Sequence, residues 1–171
     1  MPHCIPQNAP CLEKTDKYIS QKEANGWYSH FLIDEGDILI ASSGVSIDKF
    51  DEKVTVAQTE HLPLCMNTST MRFKPNQQKL DKFFLIQFLR SQSFKDQIGG
   101  KATGSAQLNF GPSHVKMIEI VLPSIQKQVE IGIILNDIDC QILTCEMKLF
   151  KLLQQKQAMM QVLLTGKIRL V

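Results

Sequence analysis

No apolar run in this chain approaches the roughly 20 residues needed to cross a bilayer, so a membrane-spanning helix is excluded. The N-terminus, MPHCIPQNAPC, has no long apolar core and does not read as a secretory signal, so the chain is expected to be cytoplasmic. The five cysteines (Cys4, Cys11, Cys65, Cys140 and Cys145) are an odd set without a CxxC pair. That argues against a disulfide framework and for reduced thiols. His3, Cys4 and Cys11 follow no usual zinc spacing, and no metal or cofactor is expected.

Catalytic signatures are equally scarce. A phosphate-cradling loop needs Gly, four residues, then Gly-Lys-Ser/Thr, whereas here Lys101 precedes Gly104 and Ser105 follows it directly. The order is wrong, and the segment leads toward a strand rather than a helix N-terminus. The four histidines (His3, His30, His61 and His114) form no spaced pair, and no Ser or Cys sits in a nucleophile elbow. Asp139 with Glu146 and Lys148 superficially resembles a metal-nuclease set, but all three fall on a long helical pattern and read as its solvated face. The expectation is a chain without catalytic residues of its own.

What the sequence does contain is a globular composition, 43% hydrophobic and 21% charged over 171 residues, enough for one domain and an appendage. The net charge of +2 is unevenly spread: residues 1–71 sum to −5, residues 72–116 to +6 and residues 117–171 to +1. The basic third holds Arg72, Lys74, Lys79, Lys82, Arg90, Lys95, Lys101 and Lys116. A local positive field suits a polyanion, because each neutralised phosphate releases counterions. A helix with a solvated lysine face would give the same charge count.

Within that third lies GGKATGSAQLNF, residues 99–110. Glycines let backbone N–H groups approach a ligand. Lys101 offers a charge for phosphate, Thr103 and Ser105 offer hydroxyls, and Gln107 and Asn109 offer the paired donor and acceptor that fit an adenine edge. Arg72 and Lys74 complete the candidate DNA-binding set. The competing reading is a folding turn whose polar groups satisfy the local backbone.

Alternating and β-branched runs predict strands over Phe31–Ile33, Ile38–Ala41, Val54–Gln58, Leu62–Met66 and the MIEIVLP segment (117–123), with a tight turn at Asp34-Glu35-Gly36. Pro75-Asn76 is expected to open a helix with Leu80, Phe83, Phe84, Phe88 and Leu89 on its apolar face, followed by a short helix over Ser93–Ile98 that ends at a left-handed Gly99. From Ser124, a possible cap, the pattern becomes a heptad. Ile131, Leu135, Ile138, Ile142, Cys145, Leu149, Leu152, Lys156, Met159 and Leu163 are spaced alternately four and three apart. This seam, roughly 48 Å long at about 1.5 Å per residue, is too long to bury on so small a domain. It therefore points to a coiled coil with a second helix, in which Lys156 would set register or partner at some cost in stability. The fold class that follows is α+β: a twisted β-rich domain with small helices over residues 1–123, then a long C-terminal coiled-coil helix over residues 124–171.

Three stretches together carry a family resemblance: GDILIASSG, FLIQFLRSQSFKDQIGGKATGSAQLNFGPSHVKMIEIVLPSI, and the helix running into KQAMMQVLLTGKIRL. Over residues 36–171 the chain resembles the specificity subunits of type I restriction–modification enzymes. The resemblance implies a target recognition domain that reads one part of a split site in double-stranded DNA. It also implies a helix that pairs between two such halves, and docking to methyltransferase (modification) subunits and to a restriction subunit. With one recognition domain and one helix, the chain resembles a half-subunit that would form a homodimer or pair with another specificity half. The stretch before residue 30 is short for the opening of such a domain. A second reading therefore stays open: a truncated helical interaction module that pairs with another specificity subunit and no longer reads DNA.

Overall fold

The structure, a computed structural model, describes residues 18–46, 49–100 and 108–166. The fold is α+β. In chain order its elements are α1 (Gln21–Asn25), β1 (Ile38–Ala41), β2 (Ser43–Val45), β3 (Val54–Val56), β4 (Thr70–Phe73), α2 (Lys82–Arg90), α3 (Gln92–Gly99), β5 (Leu108–Asn109), α4 (Pro112–Val115) and α5 (Ile125–Leu163). The residues group into two units, one ending at Ile133 and the other beginning at Ile134.

The globular unit is built around β1. Its sequence, Ile-Leu-Ile, is a continuous apolar run, the mark of a strand covered on both faces. β1 is the middle of an antiparallel sheet of order β3-β1-β4, with Ile38 opposite Val56 on one side and Phe73 on the other. Because side chains alternate, Ile38 and Ile40 enter one core with Phe50, Val54, Leu85, Leu89, Phe94 and Ile98, while Leu39 enters a second with Ile33 and Ala57. Phe50 and Phe94 are both fully buried, with ring centroids 5.4 Å apart, and Phe110 lies 5.6 Å from Phe50. Fully burying one such side chain is worth about 1.5–3 kcal/mol, so this aromatic group is a principal fastening of α3 to the sheet.

Ile38–Ala41 forms the expected strand, and the turn before it is closed by Gly36 at φ +85°. Val54–Gln58 is a strand only through Val56. Phe31–Ile33 is not a strand: Ser29–Phe31 is a 3-10 turn, and only Leu32 bridges, to Cys65. The Leu62–Met66 run is likewise reduced to that bridge, since Pro63 has no N–H for a ladder. The MIEIVLP segment forms no strand either. Glu119 pairs instead with the side-chain amide of Gln97, its N–H donating to Oε1 at 2.8 Å and its carbonyl accepting from Nε2 at 2.9 Å. An amide side chain presents the same donor and acceptor as a backbone peptide, so this partner leaves no trace in hydrophobic periodicity.

The helices shift in the same way. Asn76 makes a turn, accepting from the Gln78, Lys79 and Leu80 N–H groups, and α2 starts only after Asp81, whose carboxylate caps Phe84 N–H at 2.9 Å. Its most buried residues are Leu85, Ile86 and Leu89, and of the expected face Leu80, Phe83 and Phe88 are partly buried and pack against the same core. Gly99 ends α3 as a helical residue, and Gly100 follows in the right-handed region at φ −72°, so the left-handed expectation fails there. α1 falls where hydrophobic patterning predicts no element, although Ser20-Gln21-Lys22-Glu23 carries the capping-box pattern and both reciprocal bonds form. Cys65 and Cys145 are free thiols as expected, but Cys140 is disulfide-bonded. A disulfide requires only that two Cβ atoms approach to about 4 Å, a proximity that cysteine spacing does not encode. The cysteines Cys4 and Cys11 lie outside the described residues.

Candidate nucleic-acid interface

Of the seven candidate DNA-binding residues, Lys101, Thr103, Ser105 and Gln107 lie outside the described residues. The chain on either side of them is firmly placed. On the N-terminal side Ile98 of α3 is fully buried; on the C-terminal side Phe110 is buried and its N–H donates to the Ser42 carbonyl at 3.0 Å. Asn109, next to it, lies on β5. It is exposed, and its Oδ1 accepts from Ser43 Oγ at 2.7 Å and from Gly44 N–H at 3.1 Å. The β2–β5 pairing shifts register between Ser43 and Val45, and Gly44 sits there at φ +69°, a conformation that favours glycine. The Asn109 amide oxygen thus holds a bulged neighbouring strand.

Arg72 and Lys74 lie on and just after β4, turned toward the loop before β1. The Arg72 guanidinium donates to the Leu32 carbonyl and, at 3.2 Å, to the His30 carbonyl, and lies 3.6 Å from the buried Asp37 carboxylate. Lys74 Nζ pairs with Asp34 Oδ2 at 2.5 Å and with Asp37 Oδ1 at 3.7 Å. The hydrogen bond from Lys74, followed by its charge, holds the Asp34 carboxyl below its usual range. Lys82 Nζ stands over the same turn, 3.2 Å from where a side chain on Gly36 would begin. Burial pushes the Lys82 ammonium below its ordinary value, against the opposing pull of Glu35 and Asp37.

Part of the basic segment's charge is therefore met locally. Arg72, Lys74 and Lys82 from the basic third converge on Asp34, Glu35 and Asp37 from the acidic third. Arg90 donates to the Val54 carbonyl at 3.2 Å. Lys79 and Lys116 remain exposed. Two histidines also serve local structure: His61 Nδ1 accepts from Gln58 N–H and His114 Nδ1 from Gly111 N–H, each at 3.0 Å. Among the described residues, no group of three or more His, Cys, Asp or Glu side chains is placed to hold a metal.

Removing the Arg72 side chain takes a partner from buried Asp37 and two bonds from the 30–32 turn. Arg72→Ala is expected to cost about 2 kcal/mol of stability, measured by urea unfolding. If Arg72 contacted phosphate as well, the same variant would flatten the salt dependence of DNA binding by about one phosphate. The two readouts separate its roles.

The helix α5 carries the heptad. Ile138, Ile142, Leu149, Leu152 and Met159 are each about half exposed, at 47%, 52%, 57%, 53% and 60%. Ile131, Leu135 and Cys145 are exposed as well, and Leu163 is half-buried. The apolar stripe is thus open to solvent along most of α5 in the single chain. Only two residues of α5 are buried, Gln128 and Gly132, and the hydrophobic pattern gave neither. The signal lay elsewhere: a glycine inside a long helix costs about 1 kcal/mol relative to alanine, and such a residue usually has a packing reason.

Two comparisons with known proteins bear on these surfaces. The profile of the family described as Type I restriction modification DNA specificity domain matches residues 5–154. The Type I restriction enzyme MjaVIII specificity subunit of Methanocaldococcus jannaschii is 28% identical over 142 residues. That alignment covers 83% of this chain and 33% of the relative, so the chain spans about a third of the length of the curated protein it matches.

Proposed function

The chain belongs to the type I restriction–modification DNA specificity family, and from that membership we propose that it reads one part of a split double-stranded DNA site as a half-specificity subunit. In this reading residues 1–123 form the target recognition domain, and the heptad of α5 pairs it with a second half, either an identical chain or another specificity half. The pair directs DNA methylation, and restriction, by methyltransferase and restriction subunits in the cytoplasm. It contributes no catalytic group of its own. The single observation that carries the proposal is the family match, which runs through the recognition unit and on into the seam. The open apolar seam supports the pairing.

Base and phosphate contacts are assigned to the 99–110 segment. Lys101→Ala should weaken binding to all sequences alike and lower the slope of log affinity against log salt by about one. Gln107→Ala should relax preference at one base position, at a cost of about 1–3 kcal/mol for the preferred base. Titrations at several salt concentrations and selection from randomised duplexes measure the two. An unchanged salt slope would remove Lys101 from the phosphate contacts, and an unchanged selected motif would remove Gln107 from the readers.

One observation favours the second reading, a helical module that pairs with a specificity subunit without reading DNA. Arg72, Lys74 and Lys82 are turned to the Asp34–Asp37 loop, which leaves fewer of the basic third's charges for phosphate. Affinity of the purified chain for duplex DNA at low salt discriminates the two: the module binds its protein partner and leaves DNA free.

A further inference from the structure

α5 is seated on the recognition unit by a polar joint. Gln128 is 1% exposed, the lowest exposure of any polar side chain among the described residues. Its Oε1 accepts from Asp81 N–H at 2.9 Å, and its Nε2 donates to the Lys79 carbonyl at 3.1 Å and the Pro123 carbonyl at 2.9 Å. One turn on, Gly132 leaves no room for a side chain: a Cβ there would lie 2.8 Å from Phe83 Cβ, 3.0 Å from Phe84 N and 3.1 Å from Asp81 Oδ1. Two of these are main-chain or near-main-chain atoms that cannot swing aside, so alanine would force α5 and the start of α2 apart. Asp81 belongs to both halves of the contact, since it also caps α2. Apolar packing tolerates sliding, whereas three hydrogen bonds to one buried amide, with a glycine a turn away, define a single register.

We propose that Gln128 and Gly132 are positioning residues for two-part DNA recognition: they fix the register in which the pairing helix leaves the recognition unit, and so the spacing between the two half-sites that the assembled pair accepts. The proposal rests on the half-subunit reading above. Neither residue touches DNA. Their effect falls on the distance between half-sites and not on the bases within them.

The test is selection from duplexes carrying randomised half-sites and a spacer of variable length, using the full chain assembled with its methyltransferase subunits. Wild type, Gln128→Met, Gln128→Glu and Gly132→Ala are compared. Methionine keeps the volume of Gln128 and loses all three hydrogen bonds. Glutamate still accepts from Asp81 N–H but faces two carbonyls it cannot donate to. The expected result is an unchanged half-site motif with a broadened spacer distribution, the preference for the best spacer over its one-base-pair neighbours falling about tenfold, within the energy range of modest DNA deformation. Retention of the wild-type spacer preference in all three variants would overturn the joint. So would loss of the half-site motif itself in every variant, which would place the pair in the folding of the unit. A wild-type complex that selects no two-part site would defeat the half-subunit reading, an outcome visible before any variant is compared.

Discussion

Ile142→Asp combined with Leu149→Asp should convert the paired protein to monomer at every concentration accessible to sedimentation, while the globular unit melts as before. Both residues lie on the open seam of α5, at 52% and 57% exposure in the single chain. Fully burying an exposed aliphatic side chain is worth about 1.5–3 kcal/mol, of which about half remains to be gained by one already half covered. A symmetric pair loses four of them, roughly 3–6 kcal/mol, before the cost of bringing carboxylates into the seam is added. A loss of about 3 kcal/mol alone weakens association by about 10²-fold. Lys156→Leu should act in the opposite direction, replacing the cation in the heptad with a side chain that buries readily. The expected gain is about tenfold or more in association, read from the same sedimentation series. If the double aspartate variant sediments as wild type does, the seam is not the pairing surface. The half-subunit reading would then need another way to join two recognition units.

The second large effect is expected in the core. Phe94→Ala removes a fully buried ring that packs 5.4 Å from Phe50 and 5.7 Å from Phe88, centroid to centroid. Truncating a buried phenylalanine to alanine costs about 3–5 kcal/mol, a large share of the roughly 5–15 kcal/mol by which domains are stable. The thermal midpoint should drop by about 10–20 °C. Phe94 also holds α3, whose last turn leads to residue 101, so DNA affinity should fall at temperatures where the variant remains folded. Phe94→Leu, which fills most of the volume, should recover the greater part of both losses. Equal melting of Phe94→Ala and wild type would contradict the placement of this ring at the centre of the core.

How far the sequence reveals the protein depends on the kind of interaction. Interactions that repeat at a fixed period were legible. The long helix α5 is one such element; β1, with a continuous apolar run and a glycine turn before it, is another. One-off polar substitutions for a regular element were not. The Gln97 amide stands in for a strand against Glu119, the Gln128 amide for apolar packing of a helix, and the Asp81 carboxylate moves the start of α2 past Pro75-Asn76. The first two join residues distant in sequence, the third acts within a single turn, and none alters periodicity. The α1 helix was legible and missed, since Ser20-Gln21-Lys22-Glu23 is itself the capping-box signature. Charge counted along the chain was an incomplete guide, since it does not say which charges pair. Counting along the chain separated an acidic third from a basic third, but antiparallel pairing of β1 with β4 sets Leu39 opposite Arg72 and brings the two thirds face to face. The salt bridges to Asp34 and Asp37 follow from that register.

The central claim is that this chain directs methylation at a two-part DNA site. The most direct measurement is a genome-wide map of methylated bases in a host that expresses the partner methyltransferase, with and without the gene for this chain. The account predicts that one two-part motif disappears on deletion and returns on complementation; a palindromic motif would identify pairing with an identical chain, and an asymmetric one pairing with a different half. An unchanged map in that host would contradict the claim.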